Sequence, residues 1–348
     1  MGKLFAEDLE HVTTHTRGLW EDLRGKRIFI TGGTGFFGCW LLETFAWAND
    51  KLNLGASACV LTRDPDAFRL KAPHLAAHPA VSLHTGDIGS FAFPAGEYPF
   101  IIHAATETHY ALDEAQPLAV FDSNLHGTRR VLDFAVHCGA KRLLYTSSGA
   151  VYGRQPPELT HVPEEYAGAP DTTDSRAGYG ESKRVGEFMC AMYANRHGLG
   201  AAIARCFAFV GPHFPLDANY AIGNFIRDAM RGGPIRINDG TPYRSYLYAS
   251  DLAIWLWTIL FRGKPAYPYN VGTEQELMIA DLARKVAEIV RPDVEIRNAG
   301  RAVPGSLPAR YVPATKRAAE LGLRPFITLE EGIERTVRWH ERRMAAKG

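Results

Sequence analysis

Short runs of consecutive apolar residues alternate, through the first two-thirds of the chain, with stretches whose apolar positions recur every three or four residues. The runs are 27–31 (Arg-Ile-Phe-Ile-Thr), 58–62 (Ala-Cys-Val-Leu-Thr), 100–104 (Phe-Ile-Ile-His-Ala), 142–146 (Arg-Leu-Leu-Tyr-Thr) and 201–207. Continuous rather than alternating apolar character marks strands covered on both faces, as in a parallel sheet. Between the runs, Phe121, Leu125, Thr128, Val131, Leu132 and Ala135 keep helical spacing, as do Val185, Phe188, Met189 and Met192. Strand and helix alternating in this way predict right-handed βαβ crossovers and an α/β fold with a doubly wound parallel sheet.

The last third has a different texture, with Pro/Gly punctuation at 211–215, 232–234, 240–242, 263–268 and 304–308 and helical patterns at 222–230, 279–290 and 329–343. The expected organisation is an N-terminal helical extension over 1–25, docked on the surface, and a dinucleotide-binding domain over 26–207. Residues 208–348 form a smaller mixed α/β substrate-binding region, part of which (about 243–272) returns to the first domain. The 348 residues are roughly two domains' worth of chain.

Charge narrows the partners. With 39 Lys and Arg against 38 Asp and Glu, the net charge is +1, which gives no electrostatic case for nucleic acid or an anionic membrane. No apolar run approaches the ~20 residues of a membrane span, and Glu7, Asp8 and Glu10 stand where a signal peptide needs its apolar stretch. Five scattered cysteines without a Cys-x-x-Cys pair fit a reducing, cytoplasmic setting better than a disulfide framework.

The first apolar run ends in Thr31-Gly32-Gly33-Thr34-Gly35-Phe36-Phe37-Gly38 and leads into a helical pattern. In this Rossmann-type arrangement Gly32 allows the tight turn, Gly35 lets backbone approach a pyrophosphate, and Gly38 lets helix lie close on strand. The helix N-terminus then offers free N–H groups and a positive dipole end to phosphate. At the end of the second strand a carboxylate would bind a ribose 2′-hydroxyl and an arginine would accommodate a 2′-phosphate. Here Thr62 stands where the acid is sought and Arg63 follows, which leans toward NADP over NAD. Asp64 serves NAD if the strand ends two residues later. Asp87, closing the third strand with Ile88, is either an adenine contact or a turn cap.

Tyr179 and Lys183 lie four residues apart, on one face of a helix. A phenol titrates near 10 and is a poor base at neutral pH, so a neighbouring lysine, together with the positive nicotinamide ring, is expected to lower it. Residues 144–153 end a strand in hydroxyl side chains, among which Ser148 would bond the same substrate oxygen.

A glycine loop, a strand-end serine and Tyr-x-x-x-Lys, in that order, resemble the extended short-chain dehydrogenase/reductases of the NAD-dependent epimerase/dehydratase family, which act on nucleotide sugars. The resemblance runs over about 26–340. It is carried further by His103-Ala104-Ala105-Thr106, Asn124-Leu125-His126-Gly127-Thr128, Arg244-Ser245-Tyr246-Leu247-Tyr248 with Asp251-Leu252, and Tyr269-Asn270-Val271-Gly272. It implies Tyr179 as acid/base, Lys183 on the nicotinamide ribose, and Ser148 at the sugar C4 oxygen. Cofactor contacts are implied for Gly32, Thr34, Gly35, Phe36, Phe37 and Gly38, then Thr62, Arg63, Asp87 and Ile88. Ala104, Ala105, Thr106, Asn124, Thr146 and Ser147 complete them, with Tyr179 and Lys183. Substrate contacts are implied for Thr108, His109, Ser148, Asn224 and Arg244, the last two on the diphosphate; alone, those two would read as a helix cap and a solvated charge. A homodimer through helices near 117–137 and 180–197 is also implied.

Two departures bear on the reaction. Dehydratases resemble Thr-Asp-Glu-Val-Tyr-Gly where this chain has Ser148-Gly149-Ala150-Val151-Tyr152-Gly153, so neither carboxyl group is available for elimination unless Glu107 substitutes. Decarboxylases share that glutamate, and Ala150 counts against them too, although Thr108-His109-Tyr110 is similar to their substrate loop. Ala208 replaces the family's usual asparagine. The expected function is hydride transfer at the sugar C4, most like a 4-epimerase. The alternatives are an NADPH-dependent reductase of a 4-keto-6-deoxy sugar, an atypical 4,6-dehydratase, and a non-catalytic cofactor sensor. The His11/His15 and His74/His78 pairs lack a metal-binding motif, so no metal is expected, and Trp255 and Trp257 read as packing residues.

Overall fold

The computed structural model describes residues 4–106, 116–298, 300 and 308–345. Thr108, His109 and Glu107 lie outside the described residues. In chain order the elements are α1 (Ala6–His15), β1 (Arg27–Thr31), α2 (Phe36–Lys51), β2 (Ser57–Thr62), α3 (Pro65–Lys71), α4 (Pro73–Ala76), β3 (Val81–Thr85), β4 (Phe100–His103), α5 (Pro117–His137), β5 (Arg142–Ser148), α6 (Gly178–His197) and β6 (Gly200–Cys206). The remainder comprises β7 (Phe209–Val210), α7 (Ala221–Arg231), β8 (Ile235–Ile237), β9 (Tyr243–Arg244), β10 (Leu247–Tyr248), α8 (Ala249–Arg262), β11 (Pro268–Val271), β12 (Leu277–Met278), α9 (Ile279–Val290), β13 (Ile296–Asn298), β14 (Arg310–Tyr311), α10 (Lys316–Glu320) and α11 (Leu329–Ala345).

Seven strands form one sheet in the order β11-β6-β5-β4-β1-β2-β3, and every neighbouring pair is parallel. The order reverses between β1 and β4, the switch point above which such sheets bind ligands. The apolar runs become strands because both faces are covered: Ile28 and Ile30 of β1 enter one core layer with α2 and α8, while Phe29 between them enters the other with α5 and α6. The two edge strands, β3 with a partly exposed pattern and β11 with Asn270 inside it, show no continuous apolar run.

The N-terminal extension is helical, and its inner face packs into the molecule while Glu7, Thr14 and His15 stay exposed. Leu9, Val12, Trp20 and Leu23 join the larger core, and the Trp20 and Trp257 rings meet at 4.8 Å. Burying those side chains contributes roughly 1.5–3 kcal/mol for each large apolar group. Trp255 and Trp257 are fully buried core residues. The paired histidines serve as hydrogen-bond partners, His11 to Asp251 (3.3 Å), His74 to Glu43 (2.7 Å) and His78 to Asp50 (3.1 Å).

Candidate active site

The turn after β1 is built around its glycines. Gly32 has φ +70°, and a Cβ on it would lie 2.4 Å from the carbonyl carbon of Ala104. A Cβ on Gly38 would stand 2.3 Å from the Gly32 oxygen and the Gly33 Cα, so α2 lies against the turn with no room for a side chain. Gly35 is different. The nearest atom to its missing Cβ is 3.4 Å away, and it begins α2 with no side chain capping the helix amides. That leaves an open backbone cradle at a helix N-terminus, which fits a pyrophosphate. Phe36 and Phe37 anchor the start of the helix against Phe214 and Phe209, each at 5.2 Å between ring centroids.

Side chains around this cradle are already committed in ways that bear on the cofactor. Asp64 caps α3 by accepting from the Ala67 amide at 2.9 Å, and its own amide donates to the Thr62 hydroxyl at 3.2 Å. One oxygen of that carboxylate is thus engaged in capping a helix end. Lys71, which sequence reading passed over, donates to the Thr34 carbonyl at 2.6 Å and brings a cation beside the loop. Asp87 forms a turn by accepting from the Gly89 amide at 2.9 Å, and Ile88 fills the space a side chain on Gly127 would need. The segment Ala104-Ala105-Thr106 is held by Thr31, whose hydroxyl accepts from the Ala105 amide at 3.2 Å and meets His103 Nδ1 at 2.8 Å. His103 Nε2 reaches Thr128 at 3.0 Å. Burial, with Lys183 nearby, pushes this imidazole down to about 3, so it stays neutral. Asn124 links Thr106 (3.0 Å) to Ser182 (3.2 Å).

The proton-handling groups gather at the carboxyl end of β5. Ser148 ends the strand, and its Oγ accepts from the Ala150 amide at 3.1 Å. Tyr179, in the first turn of α6, faces that hydroxyl. One turn on, Lys183 is 2% exposed, with Nζ 5.9 Å from the Tyr179 ring centroid and donating to the Thr146 carbonyl at 2.8 Å. Ser147 points to the other side and donates to Glu187 at 2.5 Å.

Burial pushes the Tyr179 phenol up rather than down, with Ser148 opposing, and burial brings Lys183 from 10.5 down to about 8. At pH 7 a lysine that titrates near 8 still carries its proton, so its charge stands 5.9 Å from the Tyr179 ring. The buried ammonium also has a stability consequence. Lys183→Met is expected to abolish turnover yet raise stability at pH 7 by about 1–3 kcal/mol, because a shift of this size is a cost of that order to the folded state, less one hydrogen bond. Between pH 8 and 10.5 the unfolded chain holds the lysine proton that the folded chain has released, so the wild type gains stability with rising pH. Denaturant midpoints at pH 7 and 10 should therefore converge between the two proteins; a gap independent of pH contradicts the argument.

The sequence pattern of the NAD dependent epimerase/dehydratase family matches residues 28–272. The chain belongs to that family. It is accordingly an enzyme of the NAD-dependent epimerase/dehydratase type. It is 31% identical to UDP-glucuronic acid decarboxylase 6 of Arabidopsis thaliana over 308 residues, 88% of this chain and 86% of the relative. It is likewise 31% identical to UDP-glucuronic acid decarboxylase 1 of Xenopus tropicalis, over 92% of this chain and 73% of that one. Among solved structures, a dTDP-glucose 4,6-dehydratase from Streptomyces venezuelae with NAD bound superposes with a TM-score of 0.78 at 24% identity, covering 92% of this chain and 98% of that one. A UDP-glucose 4-epimerase from Thermus thermophilus in complex with NAD gives 0.74 at 25%, covering 90% and 99%.

Behind the family's catalytic positions lies a buried polar network. Arg205 pairs with Glu187 at 2.7 Å and donates to the Tyr152 hydroxyl at 2.9 Å, which donates to Asn270 at 2.7 Å. It fixes β5, β6, α6 and β11 against one another and so sets where Tyr179 and Ser148 stand. Of the expected substrate residues, Asn224 accepts from Arg227 at 2.9 Å, and the Arg244 guanidinium lies 5.7 Å over the ring of Tyr311. Tyr311 itself faces the Ser148 hydroxyl. Sequence reading missed it, because nothing local marks a tyrosine in a two-residue strand as part of a site formed by β5 and α6.

Proposed function

We propose that this chain moves a hydride between C4 of a nucleoside-diphosphate sugar and a nicotinamide cofactor, with Tyr179 exchanging the proton of the C4 oxygen, and that its net reaction is 4-epimerisation. The observation that carries the reading is the convergence of Ser148, Tyr179 and a buried Lys183 beside a stretch, Gly149-Ala150, without any ionisable group. Proton traffic then centres on a single oxygen, and elimination lacks its acid and base. When bound, the oxidised cofactor supplies a hydride acceptor and a positive charge next to the phenol, which favours its ionised form. Ser148 hydrogen-bonds the reacting oxygen, Lys183 orients the ribose from within the core, and Arg244 offers a bidentate donor to the diphosphate. Arg63, directly after β2, and Lys71 on the Thr34 carbonyl beside the cradle support NADP alongside NAD.

A second reading rests on the 31% identical relatives, which are UDP-glucuronic acid decarboxylases. A C4 ketone next to a C5 carboxylate is a β-keto acid, which loses carbon dioxide without a catalytic carboxyl group, so Ala150 is compatible with it. The exposed apolar side chains Leu118 and Val136 on α5 and Phe188 and Met192 on α6 support pairing with a second copy across these helices.

Native mass spectrometry of the purified protein, followed by assay with UDP-glucose, UDP-galactose and UDP-glucuronic acid, tests all of this. A dimer mass, a retained dinucleotide and interconversion of the hexoses without net cofactor consumption are expected. Carbon dioxide release from the glucuronic acid selects the second reading. Stoichiometric NADPH oxidation on a 4-keto sugar selects a reductase, and a protein that binds no dinucleotide overturns the enzymatic reading.

A further inference from the structure

In sheets of this kind the turn after the first strand takes a dinucleotide's pyrophosphate, and the side chains after the second strand read the 2′ position of its adenosine ribose. One side chain of this chain spans the gap between those two places. Pro65 starts α3 three residues after β2 ends, with Asp64 as its cap, and the buried Phe68 seats the helix on the core. Lys71, the last residue of α3, reaches back to the glycine turn. Its Nζ donates to the Thr34 carbonyl at 2.6 Å, one residue before the Gly35 cradle.

That contact does not exhaust the ammonium. A lysine has three donor hydrogens, and the carbonyl engages one. No carboxylate among the described residues is paired with Lys71. Of the acidic side chains on its own helix and cap, Asp66 pairs with Arg69 at 2.6 Å, and one oxygen of Asp64 holds the Ala67 amide at 2.9 Å. Thr62, the last residue of β2, puts a hydroxyl where an NAD-reading sheet places a carboxylate, so the strand end itself adds no charge that opposes a phosphate.

We propose that Lys71 is a specificity-determining residue of the cofactor site, which binds the 2′-phosphate of NADP(H) with its two remaining donors. The inference deepens the cofactor part of the hydride-transfer reading above and rests on it. A phosphate monoester brings close to two negative charges and three acceptor oxygens, whereas a 2′-hydroxyl brings no charge. The pyrophosphate is the cofactor's other anion, but the amides at the start of α2 serve it, and Lys71 arrives from the β2 side. The Thr34 carbonyl has a further effect: it holds a long side chain in place beforehand, so less rotamer freedom is lost when the phosphate binds.

Incubating the full chain with equal concentrations of NADH and NADPH, and weighing the bound species by native mass spectrometry, reads this selectivity without turnover. The wild type should hold at least as much NADPH as NADH. In Lys71→Met the bound ratio of NADPH to NADH should fall about 10- to 100-fold, the worth of a hydrogen bond to a charged group, while NADH is still taken up. Lys71→Arg should restore most of the ratio, since a guanidinium also grips phosphate. If Lys71 only straps the turn, or contacts the pyrophosphate, both cofactors are weakened or lost together in Lys71→Met, and that result overturns the proposal. So does a wild type that retains NADH alone, which leaves hydride transfer intact. A wild type that takes up neither dinucleotide overturns instead the reading it rests on.

Discussion

Tyr179→Phe is expected to lower kcat by about 10²–10⁴-fold, the usual share of a positioned proton donor and acceptor, while cofactor affinity and fold persist. The ring stays where it is, since α6 is placed by its packing on α5, β5 and β6 rather than by the phenolic oxygen. Only the proton relay to the C4 oxygen is removed. Ser148 cannot replace it, because a hydroxyl without a base is far from titrating at neutral pH, and Lys183 donates away from the site into the Thr146 carbonyl. Steady-state turnover with dinucleotide binding measured by fluorescence in the same preparation checks this. A variant that keeps more than about a tenth of wild-type kcat falls outside the range of such a role and shows that another group moves the proton.

That expectation was legible in the sequence because its parts are local. Gly32, Gly35 and Gly38 are spaced for one turn, and the structure gives each a different reason to lack a side chain: a positive φ against Ala104, an open cradle, and contact of helix with turn. The strands were legible because a sheet covered on both faces leaves uninterrupted apolar runs; β3, half exposed at the edge, left no such run. What stayed hidden depends on chain segments far apart in sequence. Tyr311 reaches Ser148 only because β14 pairs with β9, and no periodicity encodes that pairing. The charge state of Tyr179 and Lys183 was hidden for a related reason. Four-residue spacing says that the two groups meet, but burial, which no spacing reveals, decides that the lysine gives up its proton near pH 8.

Asp8→Ala should destabilise the protein by about 3 kcal/mol, the low end of the cost of orphaning a buried ion-pair partner. Asp8 is fully buried, with one carboxylate oxygen on Arg335 and the other accepting from the Tyr248 hydroxyl at 2.9 Å. Burial, with the Glu7 charge nearby, pushes this carboxyl up, and Arg335 and Tyr248 pull against it. The group therefore joins α1, α11 and the start of α8, three elements from the two ends and the middle of the chain. Asp251, also buried on α8, repeats the arrangement by accepting from the amides of Phe326 (2.8 Å) and Ile327 (3.0 Å) while meeting His11 at 3.3 Å. Alanine at position 8 leaves the Arg335 guanidinium, with its side chain 15% exposed, to Glu331 alone and strands the Tyr248 hydroxyl. The remaining pair with Glu331 is why the loss is placed at the low end. Replacing both partners, Asp8→Ala with Arg335→Met, should recover much of it, since removing a buried pair outright costs less than breaking one. Denaturant midpoints of the single and double variants decide the matter. A single variant within about 0.5 kcal/mol of wild type, the range of ordinary surface changes, means that the apolar contacts of Leu9, Val12 and Trp20 hold the N-terminal segment without the ion pair.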